Sequence, residues 1–453
     1  MKPINLISSV LLLSIGLSSC QLKENRDIEI TEEVILSQIK EPNIPRYSIN
    51  IKNYGATGDS TVNCKANIDK ALKDIETNGG GKLIFSPGTY LINGPIHLSG
   101  NTELILERGA KLIFGSNPND YLPVVKTSWE GTFIYNYSPF IYAYNSSNIA
   151  ITGEGIIDGE SSETWSKWHS LQGKDQQLSR EMNHKNIPIE ERIFGEGHFL
   201  RPQLIQLFDC KNIKIEGITI EDSPFWCVHL LRCENVTLRG IHYNAQNKNN
   251  DGIDPEYSRN VLIEDIHFNN GDDNIAIKAG RDDEGRQSKH ISENIVIRNC
   301  HFKGLHALVI GSEMSAGVKN IFMHDCNYAG KLKRGIYLKS NPDRGGFIKN
   351  IFAKNIQFGE TEDCIYITSF YHNEGAGHAT EIAEIHFENI HCNKSTNTGI
   401  VIQGFEGKKV KDIHFTNIVI DSTANGISME NTQNIIMNDV TIGKKASAPT
   451  SVK

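Results

Sequence analysis

The sequence predicts an all-β fold, a right-handed parallel β-helix (a solenoid) of roughly ten coils. The first indication is a recurring phrase, an asparagine followed by an alternating apolar strand, which begins at positions 212, 235, 260, 294, 320 and 350. The second is the distance of 23 to 34 residues between these copies, with β-branched residues and no helical pattern between them. That period fits a coil of three short strands, each stacked on the next coil at about 4.8 Å. A propeller is the alternative, but its repeats are longer and its strands are antiparallel.

The residue pattern within each repeat indicates which side chains are buried. Period-2 alternation places isoleucine, valine, leucine and phenylalanine inside the coil and charged residues outside. The repeated asparagines are expected to form a ladder at one turn, where they would satisfy backbone groups.

The chain begins with a targeting segment, residues 1–20, which combines one lysine with an apolar stretch too short to span a membrane. Leu17-Ser18-Ser19-Cys20 resembles a bacterial lipobox, after which Cys20 would carry a lipid; an ordinary cleaved signal is the alternative. Residues 21–45 are polar and acidic and are predicted to be a tether, and residues 446–453 a tail. We therefore expect an exported protein, lipid-anchored at the periplasmic or outer face of the bacterial cell envelope.

Residues 46–445 are predicted to form one β-helix domain, and it begins with a capping helix. The segment ANIDKALKDIE, residues 66–76, has helical periodicity, with Ile68, Leu72 and Ile75 on one side. A glycine run ends this helix and short strands follow. A helix at this place is predicted to cover the open end of the stacked strands.

Charge and cysteine content restrict the function classes. The 453-residue chain has a formal charge of −8, which argues against nucleic-acid binding and means that an acidic substrate must be attracted by local cations. Eight cysteines follow Cys20, and four of them (Cys210, Cys233, Cys300 and Cys326) stand beside equivalent strands of the repeat. We expect mostly reduced, buried thiols. No cysteine pair has the spacing of zinc ligands. As for the oligomeric state, we expect a monomer.

The polar segments between Asn249 and Gly280 contain three carboxylates separated by one predicted strand. Asp251 and Asp272 are 21 positions apart, close to one coil, so they are expected at near-equivalent positions on adjacent coils. His306 follows Asp273 by 33 positions, and Lys339 follows His306 by another 33. One coil plus a loop accounts for each step. These five side chains are therefore predicted to lie on one outer face across four neighbouring coils.

Four motifs on this face, NNDGID, GDDNIAIK, LHALVIGSE and RGIYLK, resemble those of glycoside hydrolase family 28, the polygalacturonase family of pectin-degrading enzymes. The likeness covers nearly the whole chain after the targeting segment. It implies a right-handed parallel β-helix that needs no metal or cofactor. It also implies hydrolysis of α-1,4-galacturonosyl linkages in an acidic plant cell-wall polysaccharide, with inversion of the anomeric centre.

The resemblance also implies roles for individual residues. Asp272 would be the general acid that protonates the glycosidic oxygen, and Asp251 and Asp273 would activate the attacking water. His306 would support the protonation state of the acid, and Lys339 would bind a galacturonate carboxylate.

The chain departs from the family pattern at the substrate-binding residues. Asn249 matches the first residue of the first motif, but Asn250 replaces the usual threonine. More importantly, Tyr337 stands where the family has an arginine that binds the substrate carboxylate, and neither tyrosine nor lysine reproduces a bidentate guanidinium. Four arginines are candidates to replace it: Arg281, Arg286, Arg334 and Arg344.

The carboxylate cluster suits glycoside hydrolysis on chemical grounds. The reaction needs one protonated and one ionised carboxyl group across the scissile bond. Because three clustered aspartates repel one another, at least one pKa should rise above about 3.9. Adjacent coils imply carboxyl groups roughly 5 Å apart, nearer the spacing for retention than the roughly 6.5–9.5 Å for inversion. We follow the family and predict inversion.

An insertion at residues 159–202 interrupts the repeat with ETWSKWHSLQGK and a helix-like continuation. Trp165 and Trp168 would either stack on sugar rings or pack the loop, and the WEG segment at Trp129 is a candidate to line the same cleft. A long loop that closes one end of a cleft favours exo-action. The alternatives are a rhamnogalacturonan or xylogalacturonan hydrolase of the same family, a calcium-dependent pectate lyase and a non-catalytic glycan-binding solenoid.

Overall fold

The structure is a computed structural model that describes residues 30–328, 330–372 and 374–444. The predicted targeting segment with Cys20, and the predicted tail 446–453, lie outside the described residues. Among the described helices, none has the length and apolar character needed to cross a membrane.

The described chain is mostly β. Its strands run, in order, over β1 Ser48–Asn50, β2 Asp59–Asn63, β3 Gly81–Phe85, β4 Gly88–Ile92, β5 Ile96–His97, β6 Thr102–Leu106, β7 Ala110–Phe114, β8 Val125–Trp129, β9 Thr132–Asn136, β10 Ile141–Tyr144, β11 Ser147–Gly153, β12 Ile156–Asp158, β13 Ile193–Phe194, β14 Ile205–Phe208, β15 Lys211–Glu216, β16 Thr219–Glu221, β17 Val228–Leu231, β18 Glu234–Arg239, β19 His242–Asn244, β20 Ile253–Glu256, β21 Arg259–Glu264, β22 Asp273–Ile277, β23 Ser292–Arg298, β24 His301–Phe302, β25 His306–Ile310, β26 Val318–Tyr328, β27 Lys331–Lys339, β28 Phe347–Thr368, β29 Glu381–Gln403, β30 Val410–Glu430 and β31 Thr432–Lys444.

The strands pair in three long parallel stacks. The first stack runs through β1, β3, β6, β11, β15, β18, β21, β23 and β26. The second runs through β5, β10, β14, β17, β20, β22, β25 and β27. The third runs through β2, β4, β7, β12, β16 and β19. Both β26 and β27 pair with β28, and β29, β30 and β31 continue the stacking.

Parallel pairing rules out the propeller alternative. Among the named strands of the described chain, β8 and β9 form the one antiparallel pair, on a small sheet outside the stacks. Successive repeats pair in register, with the inward isoleucines and valines aligned, as in Ile213–Val236–Val261–Ile295. The long parallel sheets are consistent with a parallel β-helix.

A ladder of asparagine side chains follows the first stack. Each Nδ2 donates to the Oδ1 of the asparagine one repeat earlier, at 2.6 to 3.3 Å, through positions 101, 148, 212, 235, 260, 294, 320 and 350. All eight have φ between 55° and 60°, a left-handed conformation that asparagine tolerates better than most residues. The ladder confirms the predicted turn, but most of its bonds join side chains. The predicted contacts with backbone groups are seen in the described residues only at Asn101, which donates to Gly79 O at 3.3 Å, and at Asn148, which accepts from Asn43 N at 3.3 Å.

Across residues 30–328, 330–372 and 374–444, five α-helices and three 3₁₀ helices accompany the strands. The α-helices are α1 Glu32–Gln38, α2 Lys65–Thr77, α3 Trp165–Trp168, α4 Gly173–His184 and α5 Asp282–Gln287, and the 3₁₀ helices are Ile51–Tyr54, Pro118–Tyr121 and Ile189–Glu191. Helix α2 is the predicted capping helix, and its buried Ile68, Ala71, Leu72 and Ile75 join the core beside the first strands. Helix α1 lies within the predicted tether and packs through Ile35 on the outer side of β21 and β23.

The main core lies inside the three stacks and contains the cysteines. The eight cysteines from Cys64 onward are free and buried, as predicted. Trp165 and Trp168 are also buried and pack edge-on against each other and against Tyr137, so the packing alternative is the one observed. Trp129 stacks on Phe225 in a separate buried cluster, and the next residue of the WEG segment, Glu130, lines the cavity described below.

Candidate active site

A cavity of ≈ 390 Å³ opens on the outer face of the second stack, across β20, β22, β25 and β27. Its lining contains more cationic than carboxylate side chains, although the whole chain is acidic. The cations are Arg180, Lys248, Lys278, Arg281, Lys333, Arg334, Lys339 and Arg344, and the carboxylates are Glu130, Asp251, Asp272, Asp273, Glu313 and Glu374. The cavity is therefore the local source of positive potential that binding of an acidic ligand requires.

The structure brings the predicted residues together but corrects two register expectations. Ile253 pairs with Ile275, and Gly252 N donates to Asp273 O, so Asp273 lies level with Asp251 and Asp272 lies one position earlier. The coil is 22 residues long here, one more than the 21 positions between Asp251 and Asp272. Asp251 and Asp272 thus lie diagonally across the stack, and the strand spacing alone does not set the distance between their carboxyl groups.

The second correction concerns the step after His306. Asp273 pairs with His306, as predicted, but His306 pairs with Arg334, a step of 28 positions. Lys339 therefore lies five positions further along β27 than Arg334, the residue that is level with His306. Its long side chain nevertheless reaches back to the carboxylate of Asp273.

Asp273 is the centre of the cluster. It is buried, its Oδ1 is 2.5 Å from His306 Nδ1, and its Oδ2 accepts a hydrogen bond from Lys339 Nζ at 3.0 Å. Burial acts to raise the pKa of this carboxyl, but the charges of Lys339 and His306 and the hydrogen bond from His306 together hold it well below its usual range. Asp273 is thus ionised at any pH at which the protein would act.

Asp272 has the opposite electrostatic environment. It precedes β22 and is half-buried, and its Oδ1 accepts a hydrogen bond from the backbone N–H of Asp273 at 3.1 Å. Burial, followed by the negative charge of Asp273, raises the pKa of Asp272. Two neighbouring carboxyl groups with pKa values displaced in opposite directions provide one proton donor and one fixed anion.

Asp251 is buried beside a lysine that the sequence analysis did not select. Its Oδ2 lies 3.7 Å from Lys278 Nζ, which is also 3.4 Å from Asp254 and 3.6 Å from Glu313. Burial, then the charges of Asp254 and Asp272, raise the pKa of Asp251 well above its usual range. Lys278 could have been recognised from the sequence, because it is the last residue of the GDDNIAIK motif.

Tyr337 and Arg334 form an aromatic–cation stack at the cavity wall. Tyr337 is buried, and burial raises its pKa to about 12, so it remains a neutral phenol. The Arg334 guanidinium lies 4.5 Å from the Tyr337 ring centroid and 4.2 Å from that of Tyr366. Its only nearby carboxylate in the described residues is Asp363, at 3.5 Å, and its Nε has no hydrogen-bond partner there.

The other predicted binding residues divide into cavity and non-cavity positions. Arg281 and Asn249 line the cavity, and Asn249 Oδ1 accepts a hydrogen bond from Arg201 at 2.7 Å. Arg286, on α5, does not line the cavity and is paired instead with Asp283 and with the backbone of Asp343, so the structure does not bring it together with the other predicted binding residues. Arg344, the fourth candidate, does line the cavity.

A network of ion pairs closes one side of the cavity. Arg180 of α4 donates to Glu130 at 3.3 Å and to Glu374 at 3.2 Å, and Gln176 donates to both oxygens of Glu130 at 2.8 and 3.0 Å. Arg281 donates to the other oxygen of Glu374 at 2.9 Å. The insertion thus contributes a polar wall. Gln176, Arg180 and Glu374 have no local signal in the sequence, because four distant segments meet to form the wall.

Within the described part of the chain, two groups of side chains have donor atoms close enough together to hold a metal ion. They are Asp272, Asp273 and His306 at the cavity, and His184, Asp282 and Asp343 behind it. In both groups cations already neutralise carboxylates: Lys339 pairs with Asp273, and Arg344 with Asp282. This pairing makes each group a poor fit for a divalent cation.

Comparison with known proteins agrees with this geometry. The profile of Glycosyl hydrolases family 28 matches residues 124–448, and that of Rhamnogalacturonase A/epimerase, pectate lyase-like, matches residues 48–114. The crystal structure of an exopolygalacturonase from Thermotoga maritima is 37% identical in sequence, with a TM-score of 0.85, and the match covers 90% of this chain and 95% of that one.

Two sequence relatives give the same result. A probable polygalacturonase of Vitis vinifera is 27% identical over 82% of this chain and 72% of its own length. An endo-polygalacturonase of Pectobacterium carotovorum is 25% identical over 85% of this chain and 89% of its own length. The protein therefore belongs to glycoside hydrolase family 28, the polygalacturonase family.

Proposed function

We propose that the protein is an exo-acting polygalacturonase that removes galacturonate from the end of pectic polygalacturonan or its oligosaccharides. The observation that carries this proposal is the pair of adjacent carboxyl groups, Asp272 and Asp273, in a cation-rich cavity. Ion pairing fixes Asp273 as an anion, and burial beside that anion favours a proton on Asp272. This arrangement supports the binding of an acidic substrate and its hydrolysis by acid–base catalysis.

In the proposed mechanism, Asp272 protonates the glycosidic oxygen as the bond to the anomeric carbon breaks. Asp251 and Asp273 orient the attacking water. The proton that the water loses passes to Asp251 in its ionised form, because ionised Asp251 is a stronger base than Asp273. His306 and Lys339 hold Asp273 in place. The diagonal relation of Asp251 to Asp272 supports inversion, because it allows a larger separation than direct stacking and leaves room for water.

Arg334 is proposed to bind the substrate carboxylate in place of the family arginine at position 337. Its ring-stacked guanidinium has donors to spare at the cavity wall. We expect Arg334→Lys to raise KM for oligogalacturonates by about tenfold to a hundredfold, because one bidentate charged contact contributes about 1.5–3 kcal/mol. Steady-state kinetics on trigalacturonate measure this effect. Arg286→Lys, outside the cavity, is the matched control. An equal KM change in both variants would contradict the assignment.

The wall built by α4 is proposed to make the enzyme exo-acting. We expect the double substitution Gln176→Ala, Arg180→Ala to open this end of the cavity. The variant should release oligogalacturonates besides monogalacturonate and lower polymer viscosity severalfold faster per bond cleaved. Lys185→Ala, an exposed position at the end of the same helix, serves as the control. Unchanged release of monogalacturonate alone would contradict the role of the wall.

Product analysis separates the proposed function from its alternatives. Homogalacturonan and rhamnogalacturonan are digested with EDTA present, and the products are identified by chromatography and mass spectrometry. Saturated monogalacturonate from homogalacturonan supports the proposal. Saturated products from rhamnogalacturonan or xylogalacturonan alone would identify the related hydrolases. Unsaturated products that require calcium would identify a lyase, and binding without any product would identify a glycan-binding protein.

The remaining sequence predictions are part of the same proposal. We propose that the parallel stacks wind as a right-handed β-helix of roughly ten coils over residues 46–445. We also propose that the protein is a monomer, exported and held at the cell envelope by a lipid on Cys20. Labelling with a fatty-acid analogue tests the anchor, and a Cys20→Ser variant that still carries label would contradict it.

A further inference from the structure

Lys278 is a buried cation surrounded by carboxylates at the back of the cavity. It directly follows β22 and is 3% exposed, and its Nζ lies 3.4 Å from Asp254 Oδ1, 3.6 Å from Glu313 Oε2 and 3.7 Å from Asp251 Oδ2. The Trp226 ring covers the ammonium at 4.4 Å from its centroid. A group in this position has little access to solvent and one dominant interaction, with the neighbouring anions.

The three carboxylates do not depend on Lys278 equally. Glu313 is also paired with Arg281 at 3.2 Å and Arg344 at 3.9 Å. For Asp251 and Asp254, Lys278 is the one cation within 4.0 Å among the described residues. Asp254 is 0% exposed, and neither of its oxygens has a hydrogen-bond partner there. Lys278 is therefore the counter-charge for two buried carboxyl groups that otherwise repel each other.

Asp251 faces charges from several elements. Asp254 lies close to it on β20, and Asp272 and Asp273 lie at the start of β22, the next strand of the stack. The more distant Arg201 adds a positive charge. Burial and these carboxylates favour the protonated form of Asp251, and Lys278 opposes them. Burial disfavours the charge on Lys278 itself, but Asp254 and Asp251 hold its pKa well above the usual range. The lysine thus stays charged.

We propose that Lys278 is a positioning residue that weakens the binding of a proton to Asp251 and so widens the pH range in which Asp251 can accept a proton from the attacking water. This inference rests on the proposed function, in which Asp251 is a base. Lys278 acts through Asp251, by offsetting the charge of Asp254. Without the lysine, Asp251 would keep its proton to higher pH and would act as a base over a narrower range.

The pH profile of kcat/KM tests the proposal, because its acid limb reports the essential base of the free enzyme. We expect Lys278→Met to move this limb upward by about one pH unit or more, since an opposite charge at this distance shifts a carboxyl pKa by about 1–3 units. Lys278→Arg should leave the limb near its wild-type position. Adding Asp254→Asn to Lys278→Met should move the limb back down. A lysine with only a structural role would lower activity equally at all pH values.

Two further measurements keep the proposal testable if Lys278→Met folds poorly or activity is too low. Asp254→Asn alone retains the lysine and should move the acid limb downward. The difference in Tm between wild type and Lys278→Met should widen from pH 4 to pH 7, as Asp251 and Asp254 ionise. An unmoved limb in both variants, or a pH-independent Tm difference, would overturn the inference. Loss of wild-type activity on every pectic substrate would instead contradict the proposed function.

Discussion

Asp272→Asn is expected to lower kcat on polygalacturonate by about 10²–10⁴-fold, because the amide cannot supply the proton that the leaving oxygen needs. KM should change little, since an asparagine of the same shape leaves the cation-rich cavity intact. The alkaline limb of the kcat pH profile should also disappear. In wild type that limb marks the loss of the proton from Asp272, whose pKa is raised by burial and by Asp273.

The control for this substitution is Asp69→Asn, an exposed aspartate on α2 that pairs with Lys65 far from the cavity. It should retain wild-type kinetics. If Asp272→Asn kept more than a tenth of wild-type kcat, another residue would have to be the acid. Initial rates of reducing-sugar release, measured over a range of substrate concentrations and pH values, provide both kcat and the position of the alkaline limb of its pH profile.

Lys339→Met is expected to destabilise the fold by about 3–5 kcal/mol at neutral pH, because it leaves the buried Asp273 without its stronger cation. Activity should fall as well, since Lys339 also lines the cavity. Chemical denaturation followed by tryptophan fluorescence measures the free energy of unfolding. Lys354→Met is the matched control: it breaks an exposed ion pair with Glu388, for which about 0–1 kcal/mol is expected.

The destabilisation should depend on pH in a defined direction. Ion pairing depresses the pKa of Asp273 in the folded protein, so its stabilising effect is complete above the unfolded pKa of about 3.9 and is lost as the pH falls towards the folded pKa. Wild type and Lys339→Met should therefore differ most above about pH 5 and converge in stronger acid. A constant difference across this range would show that the lysine contributes packing rather than charge.

The repeat made the strand stacking predictable, because an inward isoleucine every second residue and an asparagine at each turn leave few alternatives. The register within the stack was less accessible. Asp251 and Asp272 are 21 positions apart, but the polar turn before β22 takes one further residue, which aligns Asp273 rather than Asp272 with Asp251. A difference of one residue is invisible in the spacing of motifs. It decides which carboxylate becomes the paired anion.

Most site residues that were predictable from the sequence lie within short motifs. Most of the others lie outside them. Lys278 is an exception, since it stands inside a motif, but its role depends on Asp254 and Trp226, which a linear pattern does not connect to it. Arg180 and Glu374 are 194 positions apart and meet only because the insertion folds across the cavity. Arg286 was selected for its charge, but two aspartates of the same surface neutralise it.

The asparagine ladder has a consequence for how such a protein can change over evolutionary time. Between positions 212 and 294, the side chain of each ladder asparagine bonds to the asparagines of the neighbouring repeats, so a whole repeat there can be duplicated or deleted and the ladder closes again. The chain is therefore modular along its axis. The active site is the exception to this modularity, because Asp273, His306 and Lys339 come from three consecutive repeats and any unit gained or lost between them would separate the partners. Growth of the architecture is thus confined to repeats outside this block and to the loops between strands.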